Sequence, residues 1–283
     1  MKLKLFVFFL FTLAVLTLSN CLRRDQPITA MTFNIRYDSP HDGDNIWQNR
    51  KEGLTDLLLK RQPDIIGTQE GQSHQLDFIN RKVKSYKMIG VDREKNGESE
   101  FSSIFYNSKT LTLIKTETFW LSETPSIPSL GWDASYKRIC TYGVFKTKDT
   151  NQQFLVFNTH LDHMGENARM QSALLINKKI KEINTKNLPV ILMGDFNCEP
   201  NSEPIKAINE LLNDGVKLSK TNLSGPIGTF SGFDLNAALD KRIDYIFVDK
   251  FEIDSYSHVD SKIPNGNWPS DHLPVLTKLK IIN

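Results

Sequence analysis

Cysteine is scarce in this chain, with three in 283 residues. Cys21 follows an N-terminal apolar run, so only Cys140 and Cys198 are left for the remainder. Two cysteines give no disulfide framework, and both read as buried packing residues. A surplus of one charge is also missing. Of the 35 Lys and Arg, Lys2 and Lys4 fall in the leader, which leaves 33 basic residues against 33 acidic ones. A formally neutral domain lacks the broad basic face needed for a long, salt-sensitive grip on nucleic acid. A polyanion handled locally at a metal ion is not excluded by that count. Internal repeats, heptads and low-complexity tracts are absent, and no second-domain boundary is visible.

No apolar run reaches the roughly 20 residues that span a bilayer. The longest, Leu5 to Leu18, is interrupted only by Thr12 and Thr17 and follows the basic start Met1-Lys-Leu-Lys4. That is the make-up of a signal peptide over residues 1–20. It ends in Leu18-Ser-Asn-Cys21, similar to a bacterial lipobox, in which the cysteine is acylated. Asn20 departs from the small residue that pattern prefers. The expectation is an exported lipoprotein: Cys21 acylated, residues 21–27 a tether, and residues 28–283 one domain. It would be a monomer at the bacterial cell envelope, lipid-anchored to the membrane on the periplasmic side or cell surface, or else secreted.

What the chain does contain is polar residues at the ends of buried strands. Val190 to Met193 is apolar throughout, which predicts a strand covered on both faces; Gly194 permits a sharp exit, and Asp195 and Asn197 follow. Such a pair can offer oxygen ligands to a hard cation and an N–H to a phosphate, or it can be an ordinary turn. The pattern recurs. Residues 28–37 predict a strand carrying Asn34, and Asp64 to Thr68 a strand ending at Gln69-Glu70. Phe154 to Phe157 runs into Asn158-Thr-His160, followed by Asp162-His163, for which no role is assigned. Arg242 to Val248 carries Asp244 between apolar neighbours, where a carboxylate is costly without a partner. Asp271-His272 sets an acid beside a base, and Arg138 opens a strand with a fork suited to phosphate oxygens.

Helical spacing predicts helices over 47–61, 74–83, 168–184 and 202–213, the last with Ser202 as N-cap. The charged loop Asp92–Glu100 reads as a mobile rim, and residues 225–233 as a loop whose aromatics could wall a substrate site.

Taken together, Phe33-Asn34, Gln69-Glu70, Asn158-Thr-His160, Gly194-Asp-Phe-Asn197, Arg242-Ile-Asp-Tyr245 and Ser270-Asp-His272 closely resemble the motif series of the endonuclease/exonuclease/phosphatase superfamily. That superfamily includes pancreatic deoxyribonuclease, abasic-site endonucleases, deadenylases, inositol polyphosphate phosphatases and bacterial sphingomyelinases. Thr118 to Pro125 and Arg138-Ile-Cys140 look like a secreted bacterial branch. The resemblance implies an α/β fold, a four-layer α/β sandwich of two packed mixed β-sheets flanked by helices. It implies Mg²⁺, with Mn²⁺ as a substitute, held by Glu70 and Asn34 with Asp271 nearby. Asp195 and Asn197 would position water and a phosphate oxygen, or hold a second metal ion. His272, oriented by Asp244, would be the general acid/base, and His160 and Arg138 would bind phosphate oxygens.

The function so implied is an exported Mg-dependent hydrolase of phosphodiesters, most simply a nuclease. An alternative keeps the site but takes a phosphomonoester, a phospholipid headgroup or a sugar phosphate, to which the neutral charge and the aromatics Trp132, Phe230, Phe233 and Trp268 lean. A second alternative is a non-catalytic envelope binding protein, whose signature would be a lost polar site residue; none is lost. Zinc on His160 and His163 matches no helical zinc spacing.

Overall fold

The computed structural model describes residues 26–282; the expected leader and the expected acylation of Cys21 lie outside the described residues. The first half runs β1 (Ile28–Asn34), α1 (Trp47–Arg61), β2 (Ile65–Gly71), α2 (Ser73–Lys82), β3 (Tyr86–Ile89), β4 (Phe101–Asn107) and β5 (Leu111–Trp120). Next come β6 (Ile139–Thr147), β7 (Gln153–His160), α3 (Glu166–Ile183), β8 (Val190–Asp195) and α4 (Glu203–Asn209). The chain ends β9 (Asn213–Asp214), α5 (Gly215–Leu218), β10 (Asp244–Asp249), β11 (Phe251–His258) and β12 (Val275–Ile281).

The strands form two six-stranded mixed sheets, in the orders β11-β12-β1-β2-β4-β3 and β5-β6-β7-β8-β10-β9. Strand alternation explains why they stack. On β7, Phe154 and Val156 face the space between the sheets, while Leu155 and Phe157 face α3 and α4. On β8, Ile191 and Met193 point inward, and Val190 and Leu192 outward. In the other sheet, Ala30 and Ile65 join the inter-sheet core, and Met31, Phe33 and Ile66 pack under Leu54, Leu58 and Leu76 of α1 and α2. Strands covered on both sides must be apolar throughout, which is why they read as unbroken runs. The result is the expected four layers.

Asn158 joins the layers at the site end. Its amide donates to Thr68 O (2.9 Å) and Ser103 O (2.8 Å), and its oxygen accepts from Gln69 Nε2 (2.6 Å). Gly67 leaves room for it, since a Cβ there would meet Asn158 Oδ1 at 2.6 Å. Arg50, also wholly buried, donates from α1 to the carbonyls of Ile35 (2.9 Å) and Pro269 (2.8 Å). It thereby ties the exit of β1 to the loop carrying Asp271 and His272, and burial lowers its pKa to about 10.

Three expectations need correction. The helix after Ser202 ends at Asn209 rather than 213, and Ser202 Oγ donates to Glu199 O (2.7 Å) instead of capping. The 92–100 loop is pinned: the buried Asp92 carboxylate accepts from the backbone N–H of Glu94, Asn96 and Gly97, because an acid among unpaired amides satisfies them. Lys137 anchors it further through Glu94. Of the four aromatics expected to face substrate, only Phe230 lines the cup described below; Phe233 packs on Arg50 (5.3 Å), and Trp268 is buried. Cys140 and Cys198 are free and buried.

Candidate active site

Parallel pairing of β1 with β2 and of β7 with β8 brings the carboxyl ends of four strands to one edge. Register does the rest. His160 pairs with Asp195, and Asp195 with Asp244, so three polar residues stand abreast on β7, β8 and β10. Gly194 allows β7 and β8 to close there; a Cβ would lie 2.1 Å from Thr159 O. On the facing sheet Asn34 pairs with Gln69, and the β2–β4 register shifts between Thr68 and Gly71. That bulge leaves Glu70 at φ 63° and aims it away from the sheet. A non-glycine residue held in this left-handed region costs about 1 kcal/mol or more, strain of the kind kept at functional sites.

Around a cup of about 460 Å³ these residues meet. Asn34 is the bridge: its Nδ2 donates to Glu70 Oε1 and to Asp195 Oδ2, both at 3.0 Å, while its Oδ1 accepts from Arg36 N (3.0 Å). In this arrangement its nitrogen braces two acids and its oxygen faces its own backbone. Glu70 Oε2 also accepts from Tyr37 N (3.2 Å). Asp271 lines the cup with one oxygen on Ser270 Oγ (3.2 Å) and the other 3.7 Å from Arg36 Nη1.

His272 Nδ1 lies 2.9 Å from Asp244 Oδ2, which also accepts from Thr229 Oγ1 (2.6 Å). That bond sets the imidazole with Nδ1–H on the acid and Nε2 toward the cup, 3.8 Å from Asp195 Oδ2. The Phe230 ring packs edge-on against His272 at 5.0 Å. His160 Nε2 sits 3.1 Å from Asn197 Nδ2 and 3.4 Å from Asp195 Oδ2. Asn197, at φ 48°, also donates to Leu161 O (3.1 Å), and its N–H donates to Asp195 Oδ1 (2.9 Å).

Arg138 is fixed by Asp162, which sequence left without a role: Nε donates to Asp162 Oδ2 (3.2 Å), and Nη2 is 3.2 Å from His163 Nδ1. Burial would raise the Asp162 pKa, but the N–H groups of Gly165, Met164 and Ser135 and the Arg138 charge bring it down to about 2. His163 is therefore turned to Arg138, not toward a zinc ion shared with His160.

Charge in the cup is unbalanced. Beside the strand tips Glu70, Asp195 and Asp271 line it, and Asp244 stands behind His272. Burial, then the Asp244 charge, raises Asp195 to about 7, and burial raises Asp271 too. Burial opposes a charge on His272, yet Asp244 and Asp195 outweigh it and hold its pKa well above the ordinary value. His160 goes the other way: burial, with Arg138 and His272, holds it neutral. Buried Asp244 Oδ1 has no hydrogen-bond partner among the described residues. A hard divalent cation fits this all-oxygen, over-negative set. Atoms of Asp195, Asp244 and His272 come within 4.8 Å of one another. Asp244 Oδ2 is taken by His272 and Thr229 and Asp244 does not line the cup, whereas the carboxylates of Glu70 and Asp271 do and keep spare lone pairs, so they suit a cation better.

The residues from Met31 to His272 match the endonuclease/exonuclease/phosphatase family. This chain belongs to that family. Its members hydrolyse phosphoester bonds, and the polar set above occupies the family's span. Among solved structures it is similar to the mannosyl-6-phosphatase of Bacteroides thetaiotaomicron (TM-score 0.86, 36% identity, covering 90% of this chain and 100% of that one). Among curated proteins it is similar to uncharacterized protein L388 of Acanthamoeba polyphaga mimivirus, 29% identical across 81% of this chain and 91% of the relative. Human nocturnin is 25% identical across 91% of this chain, which spans 66% of nocturnin's length.

Sequence reasoning missed Arg36, Tyr37, Arg93, Glu100 and Tyr136, all of which line the cup. Arg36 and Tyr37 follow Asn34 after Ile35 and could have been found as its continuation; the other three sit on loops with no local signal.

Proposed function

We propose that this chain is a metal-dependent phosphoester hydrolase of the bacterial envelope that removes a terminal phosphate from a small polyol, with a phosphorylated mannose as the leading candidate. The observation that carries the reading is the cup itself. At about 460 Å³ it is of small-molecule size, and inside it a locked arginine, Arg138, lies beside the acid–base cluster. A terminal phosphate is a dianion, and Arg138, Arg36 and a divalent cation together match it better than they match a single diester charge. The similarity to a mannosyl-6-phosphatase along its whole length supports the same choice.

Glu70 and Asp271 would hold Mg²⁺ or Mn²⁺, with Asn34 bracing Glu70, and the ion would neutralise charge on the phosphate oxygens. Arg138 and His160 orient the phosphate. Asp195, raised toward neutrality, takes a proton from the attacking water that Asn197 positions. His272, held protonated by Asp244, gives its Nε2 proton to the leaving alkoxide. An acid and a base whose pKa values are pushed apart by their surroundings are the pair such a hydrolysis needs.

A nuclease is the second reading. It is favoured by the similarity to nocturnin and by half-buried Phe230 beside His272, a surface on which a base could stack. Turnover of mannose 6-phosphate, p-nitrophenyl phosphate, bis-p-nitrophenyl phosphate and oligonucleotides, with and without chelator, separates the two. The proposal expects the monoesters to win and chelator to stop them; preference for diesters or oligonucleotides would replace it with the nuclease. Export is part of the proposal and rests on the leader alone. Mass spectrometry of the mature N-terminus should find an acylated Cys21, and an intact Met1 would remove that part.

A further inference from the structure

Opposite the strand tips, the cup has a second wall of which the chemistry above uses only Arg138. It comes from the 92–100 loop and the segment before β6. Arg93 and Glu100 pair at 3.0 Å, with both side chains largely buried, and Arg93 Nε donates to Ser99 Oγ (3.2 Å). The guanidinium lies over the Tyr136 ring at 4.6 Å; His163 stacks on that ring at 5.8 Å, and the Arg138 guanidinium lies 5.9 Å from its centre. Arg93, Tyr136 and His163 thus make one stacked row whose edges face the cup.

Three groups on this wall have no hydrogen-bond partner among the described residues: Arg93 Nη2, Glu100 Oε1 and the Tyr136 hydroxyl. A fixed donor, a fixed acceptor and a hydroxyl that is both match neighbouring hydroxyls of a sugar, each of which donates and accepts. They match phosphate badly, because Glu100 would repel it. The pinning of the loop by Asp92 holds the groups in place before anything binds.

From this we infer that Arg93, Glu100 and Tyr136 form the leaving-group subsite, which recognises the hydroxyls of a sugar whose phosphate lies against the strand tips. The inference rests on the proposed phosphomonoesterase reading and adds the residues that select the alcohol.

Competition tests it without relying on sugar-phosphate turnover. The purified holoenzyme hydrolyses whichever chromogenic ester it accepts, p-nitrophenyl phosphate or its bis ester. Mannose 6-phosphate and inorganic phosphate are then compared as inhibitors of wild type, Glu100→Gln and Tyr136→Phe. In wild type the sugar phosphate should bind about ten-fold tighter than phosphate, since hydrogen bonds to charged groups contribute on that scale. The ratio should fall close to one in Glu100→Gln and about three-fold in Tyr136→Phe, which loses a single hydroxyl and leaves the stacked row intact. Equal inhibition by the two anions in wild type, or an unchanged ratio in both variants, overturns the subsite. Activity on the bis ester alone overturns the phosphomonoesterase reading instead, and the inhibition ratio still decides the subsite.

Discussion

The two walls of the cup hold charge in different ways. The inner wall gathers Asn34, Glu70, His160, Asp195 and Asp244 at strand ends, where ladder register alone sets His160, Asp195 and Asp244 abreast. Its carboxylates are left in excess, and burial, with the Asp244 charge second, raises Asp195 toward neutrality. The outer wall is made of loops, and the arginines that line the cup from it are paired, Arg93 with Glu100 and Arg138 with Asp162. Unbalanced charge on a rigid frame suits proton transfer and cation binding, whereas balanced charge on a pinned loop suits recognition.

The widest separation between the walls should come from His272→Ala, which removes the proton donor and should lower kcat about 10³-fold with native circular dichroism. A drop under ten-fold would show that the inner wall is not the reacting one. Asp244→Asn should cost about 10²-fold and move the alkaline limb of the pH–rate profile to lower pH, because the imidazole, which acts protonated, loses the charge that holds its pKa up. Asp162→Asn tests the outer wall's hold on Arg138. About ten-fold should be lost from kcat/KM. The pH dependence of stability has a definite sign: the Asp162 pKa is depressed to about 2, so its stabilisation is complete above the ordinary carboxylate range and lost as pH falls toward 2. Melting curves should show the variant weaker by about 2 kcal/mol at neutral pH, a gap that closes in acid. The smallest effect should follow Asp92→Ala, which frees three loop N–H groups at a cost of about 1–2 kcal/mol and loosens sugar-phosphate inhibition more than chromogenic turnover.

The same division explains what could be read in the residues. Apolar runs such as Val190 to Met193 declare a strand covered on both faces, and a polar residue just beyond such a run has few places to go, so Asp195, Glu70 and His160 were legible one at a time. That they share a cup followed from the motif order, not from any single stretch. The stacking of two sheets was not readable from alternation, since any doubly covered sheet gives the same runs. Glu100 and Arg93 look like solvated loop charges because their burial depends on Tyr136 and Lys137, distant in sequence. Asp92 reads as part of a mobile rim for a different reason: its carboxylate turns back on amides of its own loop, a local pattern that charge and turn residues alone do not reveal.

The central claim is that Glu70 and its neighbours make this cup a divalent-cation site for phosphoester hydrolysis. Turnover of p-nitrophenyl phosphate and its bis ester, measured against Mg²⁺ concentration for wild type and Glu70→Gln, tests it most directly. Wild type should lose activity to chelator and recover it on saturable addition of Mg²⁺ or Mn²⁺, while Glu70→Gln should need about ten-fold more metal for half-maximal rate. Chelator-insensitive hydrolysis, or superimposable metal curves for the two proteins, would contradict it.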